Sequence, residues 1–262
     1  MKDLSIFIVH YNTPRLLRQT LKGLYRFAPN CSHEIIVVDN NPKSRVADQV
    51  KSEFPGVKIV VNEKNLGFGR GMNSAAAVAD GRHFLIFNPD IAILEGSLDK
   101  LVNFLDEHPR VGAVGPKLLN PDRSLQTSCY RFAKPLTILA RRLPLAEKIP
   151  SLKKELDRYL MNDFDHSSTK EIDYLLGASL LVRREAWEKT GGFDPEYFMY
   201  FEDQDLCRHL WQLGWKVMYY PESEIVHYHR RETAEGNLLE QLFNPLTRIQ
   251  IKSARYYFKK WQ

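Results

Sequence analysis

The chain has 262 residues, 44% of them hydrophobic, which is enough for one α/β domain or a domain with an appendage. No run approaches the roughly 18 uninterrupted apolar residues of a membrane span, and residues 4–9 are too short a run for a signal peptide. Cys31, Cys129 and Cys207 show neither metal spacing nor a disulfide framework, which fits a reducing cytosol, and a net charge of +5 suits an anionic ligand or an anionic membrane surface better than bulk nucleic acid.

Residues 4–9 read as a strand ending at His10-Tyr11-Asn12. Thr13-Pro14 then opens a helix, as an N-cap followed by proline at the first helical position, with Leu17, Leu21 and Leu24 toward the sheet. Residues 34–39 form a second strand ending at Asp39-Asn40-Asn41, residues 46–54 a second helix and residues 57–61 a third strand. Residues 71–79 are small enough to pack closely on the sheet as a helix. Residues 83–87 are the central strand, apolar, aromatic and β-branched. Pro89 cannot continue the ladder, so Asp90 is presented just past the strand's carboxyl end. This alternation predicts a parallel sheet with right-handed crossovers, and its carboxyl edge is where such sheets bind ligands.

Two carboxylates therefore face one crevice. Asp90 either turns the chain or holds a cation; Asp39 either turns the chain or contacts a ribose or base. The run from Gly67 to Gly71 is not G-x-G-x-x-G and follows the third strand rather than the first. Its backbone N–H groups and Arg70 suit an anion, and a plain glycine turn suits the residues equally.

The second half is less regular. Residues 96–107 are a helix and residues 111–116 a strand. Residues 117–170 are broken at Pro121, Pro135, Pro144 and Pro150 and carry Arg131, Lys134, Arg141, Arg142, Lys148, Lys153 and Lys154. They read as a flexible acceptor-side flap or a disordered insertion. Residues 172–176 and 180–182 are strand around Gly177-Ala178, and a short helix ends at Gly191-Gly192. Leu206, Leu210 and Leu213 mark the buried face of the next helix, with Asp203 on that face in its first turn. Asp203 there faces a pocket or caps the helix dipole, while Glu202 and Asp205 read as structural. Residues 216–220 and 223–227 are two strands split by Pro221. Alternation puts His227 and His229 on one side, so one of them could join Asp90 on a metal. Asn244-Pro245 starts a last helix with a basic stripe, Arg248, Lys252, Arg255 and Lys259, among Leu246, Ile249, Tyr256, Tyr257, Phe258 and Trp261. That helix is either interfacial, meeting anionic lipid, or packed on the domain with a solvated basic face.

Taken together, Tyr11-Asn12, Val37-Val38-Asp39-Asn40, Asn65-Leu66-Gly67-Phe68-Gly69 with Asn73, Asn88-Pro89-Asp90, Gly177-Ala178, Gly191-Gly192-Phe193-Asp194 and the run from Tyr200 to Leu206 resemble the family-2 glycosyltransferases of the GT-A fold. The similarity covers residues 4–227 and is nearest to bacterial rhamnosyltransferases that use dTDP-rhamnose. It implies an α/β GT-A domain over residues 1–236, with one mostly parallel central sheet flanked by helices. Residues 1–116 would be its nucleotide-binding half and 117–236 its acceptor and catalytic half, followed by a basic amphipathic helix over 237–262. It implies an inverting transfer of L-rhamnose to a hydroxyl of a glycan or lipid-linked acceptor in bacterial cell-surface polysaccharide synthesis. Asp203 would be the general base. Tyr11, Asn12, Asp39, Asn65, Gly67, Arg70, Asn73 and Asn88 would line the nucleotide. Asp90 and His227, with His229 as a substitute, would hold Mg²⁺ or Mn²⁺. Gly177, Ala178 and Glu202 would meet the sugar or acceptor. Asn88 stands where the family often has the first Asp of its D-x-D element, leaving one fewer carboxylate for the cation. The implied location is the cytoplasm, docked peripherally on the inner face of the membrane, with no nucleic-acid partner.

Other readings fit less of the chain. A nucleotidyltransferase should carry a Gly-rich basic loop after its first strand, and a dehydrogenase a G-x-G-x-x-G there; Tyr11-Asn12-Thr13-Pro14 is neither. A non-catalytic nucleotide-sugar-binding protein has no need of Asp203. Oligomeric state is not written in the sequence.

Overall fold

The computed structural model describes residues 1–143, 145–228 and 244–262. Strands β1 (Lys2–His10), β2 (His33–Asp39), β3 (Lys58–Val61) and β4 (Gly81–Phe87) are parallel and ordered β3-β2-β1-β4. Alternation along β1 sorts the core. Leu4, Ile6 and Ile8 face helices α1 (Pro14–Arg26) and α2 (Val46–Glu53), while Phe7 and Val9 face α3 (Phe68–Ala76). Leu17, Leu21 and Leu24 are buried as their spacing predicts. Thr13 precedes α1 but its side chain does not cap it; the hydroxyl lies 3.3 Å from the His10 ring instead. α3 starts three residues earlier than the small-residue run suggests, because Gly67, not Gly71, makes the turn into it.

After β4 come a short strand β5 (Ile91–Ile93), helix α4 (Ser97–Glu107) and β6 (Val111–Leu119). Residues 117–170 are not a structureless flap. They carry β7 (Leu125–Gln126), β8 (Cys129–Tyr130), α5 (Pro135–Arg142), a single 3₁₀ turn at Ala146–Lys148 and α6 (Pro150–Leu160). The prolines that look like breakers open helices here: Pro135 and Pro150 each stand at a helix start, where the missing N–H is no loss. Pro144 lies outside the described residues. Tyr130 stacks on Tyr159 and Tyr174, with ring centroids 5.2 and 5.1 Å apart, and joins this excursion to the main core.

The chain returns through β9 (Lys170–Glu171) and β10 (Tyr174–Leu175), then β11 (Ser179–Arg183), which slots antiparallel between β4 and β6. Helices α7 (Arg184–Thr190) and α8 (Glu202–Gln212) cover the α3 side of the sheet. Leu206 and Leu210 are buried on α8, but Leu213 is half exposed, since the helix ends at Gln212. β12 (Lys216–His227) is one strand rather than two. It pairs with β6 on both sides of Pro221, absorbing the proline in a register shift between Tyr220 and Glu224. The completed order is β3-β2-β1-β4-β11-β6-β12-β5. His229 lies outside the described residues, as does the expected boundary near residue 236.

Helix α9 (Pro245–Lys260) begins as expected, with the Asn244 side chain accepting the Leu246 N–H at 2.9 Å. Its aromatic residues do not face outward as an interfacial helix requires. Tyr257 is fully buried, Tyr256 donates to Asp194 at 2.9 Å and Trp261 donates to Asp205 at 2.7 Å. Lys260 bridges those two aspartates at 2.6 and 2.8 Å, so Asp205 is structural, as its position suggests. Arg248, Lys252, Arg255 and Lys259 form the solvated outer face.

Candidate active site

The end of β4 is locked from below. Thr20 donates its hydroxyl to the carbonyls of Pro89 and Ile91 at 2.7 and 2.9 Å, and the Asn88 N–H reaches Ala178 O at 2.9 Å. Asp90 O in turn accepts the Tyr228 N–H at 2.9 Å, which ties the loop to the end of β12. Asp90 Oδ1 thereby comes to lie 3.4 Å from His227 Nε2. At that distance the contact lacks hydrogen-bond geometry, and Oδ1 is buried with no donor among the described residues.

The Nδ1 proton of His227 follows from its neighbour. Gln126 Nε2 donates to Asn120 Oδ1 at 2.8 Å and to His227 O at 3.2 Å, so Gln126 Oε1 is the acceptor 2.7 Å from His227 Nδ1. Nδ1 therefore carries a proton hydrogen-bonded to Gln126, and Nε2 is the nitrogen turned toward Asp90. With Nε2 deprotonated, its lone pair and the Asp90 carboxylate oxygen 3.4 Å away would suit a shared cation. No group of three His, Cys, Asp or Glu side chains gathers among the described residues. The donor set therefore fits a divalent ion that completes its shell with water or phosphate oxygens.

The second pair of carboxylates sits at the start of α8. Tyr200 and Phe201 both adopt left-handed φ values, +70° and +73°, and so turn the chain sharply into the helix. Glu202 and Asp203 follow and line a cavity of about 390 Å³. Asp203 Oδ2 accepts the Gly177 N–H at 3.0 Å, and Oδ1 the Gln204 N–H at 2.8 Å. Glu202 Oε2 is buried with no partner among the described residues. Burial, with the Asp203 charge beside it, pushes the Glu202 carboxyl up to about 8. Burial raises Asp203 too, but its two backbone donors oppose that. Glu202 is thus held toward its protonated form, and the two backbone donors favour the ionised form of Asp203.

Four residues expected at the nucleotide instead hold the loop that leads into α8. Gly67 has φ +86°, and a Cβ there would lie 2.0 Å from Phe198 O; Asn65 Oδ1 accepts its N–H at 2.9 Å. Asn73 grips Phe193 both ways, donating to its carbonyl at 2.7 Å and accepting its N–H at 3.0 Å. Arg70 donates to Pro195 O at 2.6 Å. Farther along the sheet edge, Asn12 accepts from the Asn41 side chain at 2.8 Å, and Tyr11 is half exposed. The Asp39 carboxylate is buried and engaged by its own turn, through the Asn41 N–H at 2.9 Å and the Ser44 hydroxyl.

The cavity brings together Asn88, His227, Gly177, Ala178, Glu202 and Asp203, all expected from the sequence. It does not include Tyr11, Asn12, Asp39, Asn65, Gly67, Arg70, Asn73 or Asp90 in its lining. Its far wall is new: Tyr130, Tyr159, Tyr174, Arg141, Arg142 and Gln126. Arg141 donates to Tyr159 at 3.1 Å, and Tyr159 shares a 2.5 Å contact with Tyr174, whose hydroxyl feels the Asp203 charge. Arg142 reaches Gln250 of α9 at 2.6 Å. Neither arginine has a carboxylate partner among the described residues. The sequence signal for this wall is the aromatic residues interleaved with basic ones between 130 and 174, which a reading of the segment as a loose flap passes over.

The model of the family described as glycosyltransferase like family 2 matches residues 2–250. An N-acetylglucosaminyl-diphospho-decaprenol L-rhamnosyltransferase of Mycobacterium tuberculosis is 30% identical over 212 residues, covering 76% of this chain and 67% of that one. Rhamnosyltransferase WbbL of Escherichia coli is 25% identical over 264 residues, covering 97% and 92%. Among solved structures, GalNAc-T7 with UDP, GalNAc and Mn²⁺ superposes with a TM-score of 0.65 at 17% identity, over 90% of this chain and 45% of that one. The mannosyltransferase PcManGT from Pyrobaculum calidifontis, in complex with GDP-Man and Mn²⁺, gives 0.59 at 16% identity, over 89% and 59%. This chain thus spans about half the length of those two solved chains. With a family model matched over almost its whole length and the sheet order of the GT-A fold, the chain belongs to glycosyltransferase family 2 and is a glycosyltransferase.

Proposed function

We propose that the protein is an inverting rhamnosyltransferase that moves L-rhamnose from dTDP-rhamnose to a hydroxyl of a glycan or lipid-linked acceptor in bacterial cell-surface polysaccharide synthesis. The observation that carries the reaction type is Asp203. Its Oδ2 is fixed by the Gly177 N–H at 3.0 Å, and it lines a cavity that Asn88 and His227 also line. The acceptor oxygen attacks the anomeric carbon as its proton passes to Asp203 Oδ2, and the bond from that carbon to the diphosphate oxygen breaks. Attack opposite the leaving group inverts the centre, and no second carboxylate stands alone as a nucleophile. Glu202, held toward its protonated form, donates a hydrogen bond to the bound sugar or acceptor.

Asp90 and His227 would hold a Mg²⁺ or Mn²⁺ ion, and its chemistry would be to neutralise charge on the departing diphosphate. Asp39, Tyr11, Asn12 and Asn88 would line the nucleotide. Asn65, Gly67, Arg70 and Asn73 would serve it by fixing the loop into α8. The sugar assignment rests on the two rhamnosyltransferase relatives. Arg141 and Arg142 on the cavity wall support an acceptor that carries phosphate, as a lipid-linked one does. Such an acceptor places the enzyme at the cytoplasmic membrane surface.

A turnover assay over dTDP-, UDP- and GDP-sugars, with product stereochemistry read by NMR, tests the reading. Inverted product from dTDP-rhamnose is the expected result. Preference for a UDP- or GDP-sugar overturns the donor, and retention of configuration overturns the mechanism.

A further inference from the structure

Helix α5 has three distinct faces. Ile138, Arg141 and Arg142 line the cavity, and Thr137 and Ala140 are buried against the protein. Leu136, Leu139 and Leu143, spaced i, i+3, i+7, share the remaining face and are exposed. Leu145 and Ile149 continue the exposed stripe through the following turn; Leu139 and Leu145 each show more than half their surface, at 52% and 59%. Elsewhere among the described residues only Leu125 and Leu213 are exposed residues of these two types. The stripe is not a failure of local packing, because Ala140, Ala146, Leu152 and Leu156 form a small core of their own on the inner side. Single exposed leucines need no explanation, whereas four leucines and an isoleucine exposed in one short stretch mark a surface that something covers.

Charge indicates what covers it. Residues 134–158 contain seven basic side chains, Lys134, Arg141, Arg142, Lys148, Lys153, Lys154 and Arg158, against three acids, Glu147, Glu155 and Asp157. Lys153 pairs with Asp157 and Arg158 with Glu155, which leaves five basic side chains against Glu147. An apolar ridge rimmed by cations matches the headgroup layer of an anionic bilayer, where leucines enter the acyl boundary and lysines meet lipid phosphate. A second copy of the chain, equally basic in this region, is a poor partner for it.

We propose that the α5 ridge and the exposed residues after it, residues 136–143 and 145–149, are the membrane-docking surface, and that they seat the cavity mouth at the headgroups of an anionic phospholipid bilayer. Helix α9 is a secondary contact at most, since its aromatic residues pack inward and only its charges remain outside. The proposal shares its setting with the lipid-linked acceptor reading, but it is tested without substrate.

Sedimentation with phosphatidylglycerol vesicles, and with phosphatidylcholine vesicles as a control, decides it. Wild type should bind the anionic vesicles and release as salt rises. Combined Leu139→Ser, Leu143→Ser and Leu145→Ser should weaken binding by roughly tenfold or more, since three apolar contacts are lost. Its melting temperature should stay at the wild-type value, because these side chains are exposed. Combined Lys252→Glu and Arg255→Glu on α9 should weaken binding less than the leucine variant does. No wild-type binding, or equal binding by the leucine variant, overturns the proposal. So does a concentration-dependent dimer that the leucine variant abolishes, since the ridge would then be covered by a second copy. If vesicle binding behaves as expected but no rhamnose transfer is found, the docking surface stands and the donor reading falls.

Discussion

Two pairs of similar groups at this site are put to different use. In one, Asp90 faces His227 at 3.4 Å, and Gln126 accepts the hydrogen bond of the far imidazole nitrogen. In the other, Glu202 is buried beside Asp203; burial and the Asp203 charge push the Glu202 carboxyl up to about 8, while the Gly177 and Gln204 N–H groups oppose the rise that burial causes at Asp203. A carboxylate beside a neutral base suits a cation, while a carboxylate beside a carboxylic acid suits proton transfer. The difference is set by hydrogen-bond neighbours rather than by residue type, and each neighbour can be removed alone.

The largest effect is expected from Asp203→Asn. It keeps the shape and still accepts the Gly177 N–H, but it cannot take a proton. Transfer should fall by about 10²–10⁴-fold, with donor affinity unchanged. Steady-state rates beside a donor-binding isotherm check it, and a rate within threefold of wild type removes Asp203 as the base.

In the other pair, Gln126→Leu should act on the cation chiefly through His227, besides losing the bond to Asn120. With no acceptor for Nδ1–H, the ring loses its orientation, and divalent-ion affinity should drop by about 10–100-fold. Gln126→Glu should restore most of it. Donor affinity measured with Mn²⁺ and with chelator separates this from a folding defect, since only the metal-dependent part should change. If wild type binds donor equally in both conditions, the cation reading of Asp90 and His227 fails.

Glu202 gives the comparison a pH axis. Its native pKa is raised from an ordinary 4.5 to about 8, so between those values the native state keeps a proton that the unfolded chain has released. Stability must then fall as pH rises through that window, by at most about 1.4 kcal/mol per unit from this group. Glu202→Gln should flatten the slope and leave the stability below pH 4 nearly unchanged, with pH about 4 taken as below both values. Urea unfolding across the window is the measurement, and an identical slope in the variant refutes the raised Glu202 pKa.

Much of this contrast was legible in sequence and some was not. Asp90 and Asp203 stand out because a proline stops β4 and a leucine period fixes α8, both local signals. His227 follows from simple alternation along β12. Arg70 and Asn73 show the limit of such signals. Their positions are readable, but whether a polar group faces a ligand or a neighbouring carbonyl depends on a loop more than a hundred residues away, as Asn73 with Phe193 illustrates. Gln126, Arg141 and the three tyrosines went unread for the same reason. Residues 117–170 lack a repeating period because their elements are short and pack on different partners, and prolines that mark helix starts look like breaks.

The smallest predicted effect is a gain. Asn88 lines the cavity, with its amide nitrogen 3.5 Å from His227 Nε2, too long for a strong hydrogen bond. Asn88→Asp places a second carboxylate beside the cation pair with almost no change of volume. Coulombic attraction to a divalent ion should rise, while burial of another charge and its repulsion with Asp90 offset most of the gain. A net tightening of about threefold to tenfold is expected, visible as a lower Mn²⁺ concentration for half-maximal thermal stabilisation in the presence of dTDP. In chelator the same variant should be less stable than wild type, because two carboxylates then face each other without a cation. The opposite sign in the two conditions makes the test sharp. A variant that loses Mn²⁺ affinity, or that is unaffected by chelator, would place the cation away from Asn88 and Asp90 and leave only the Glu202–Asp203 pair as described.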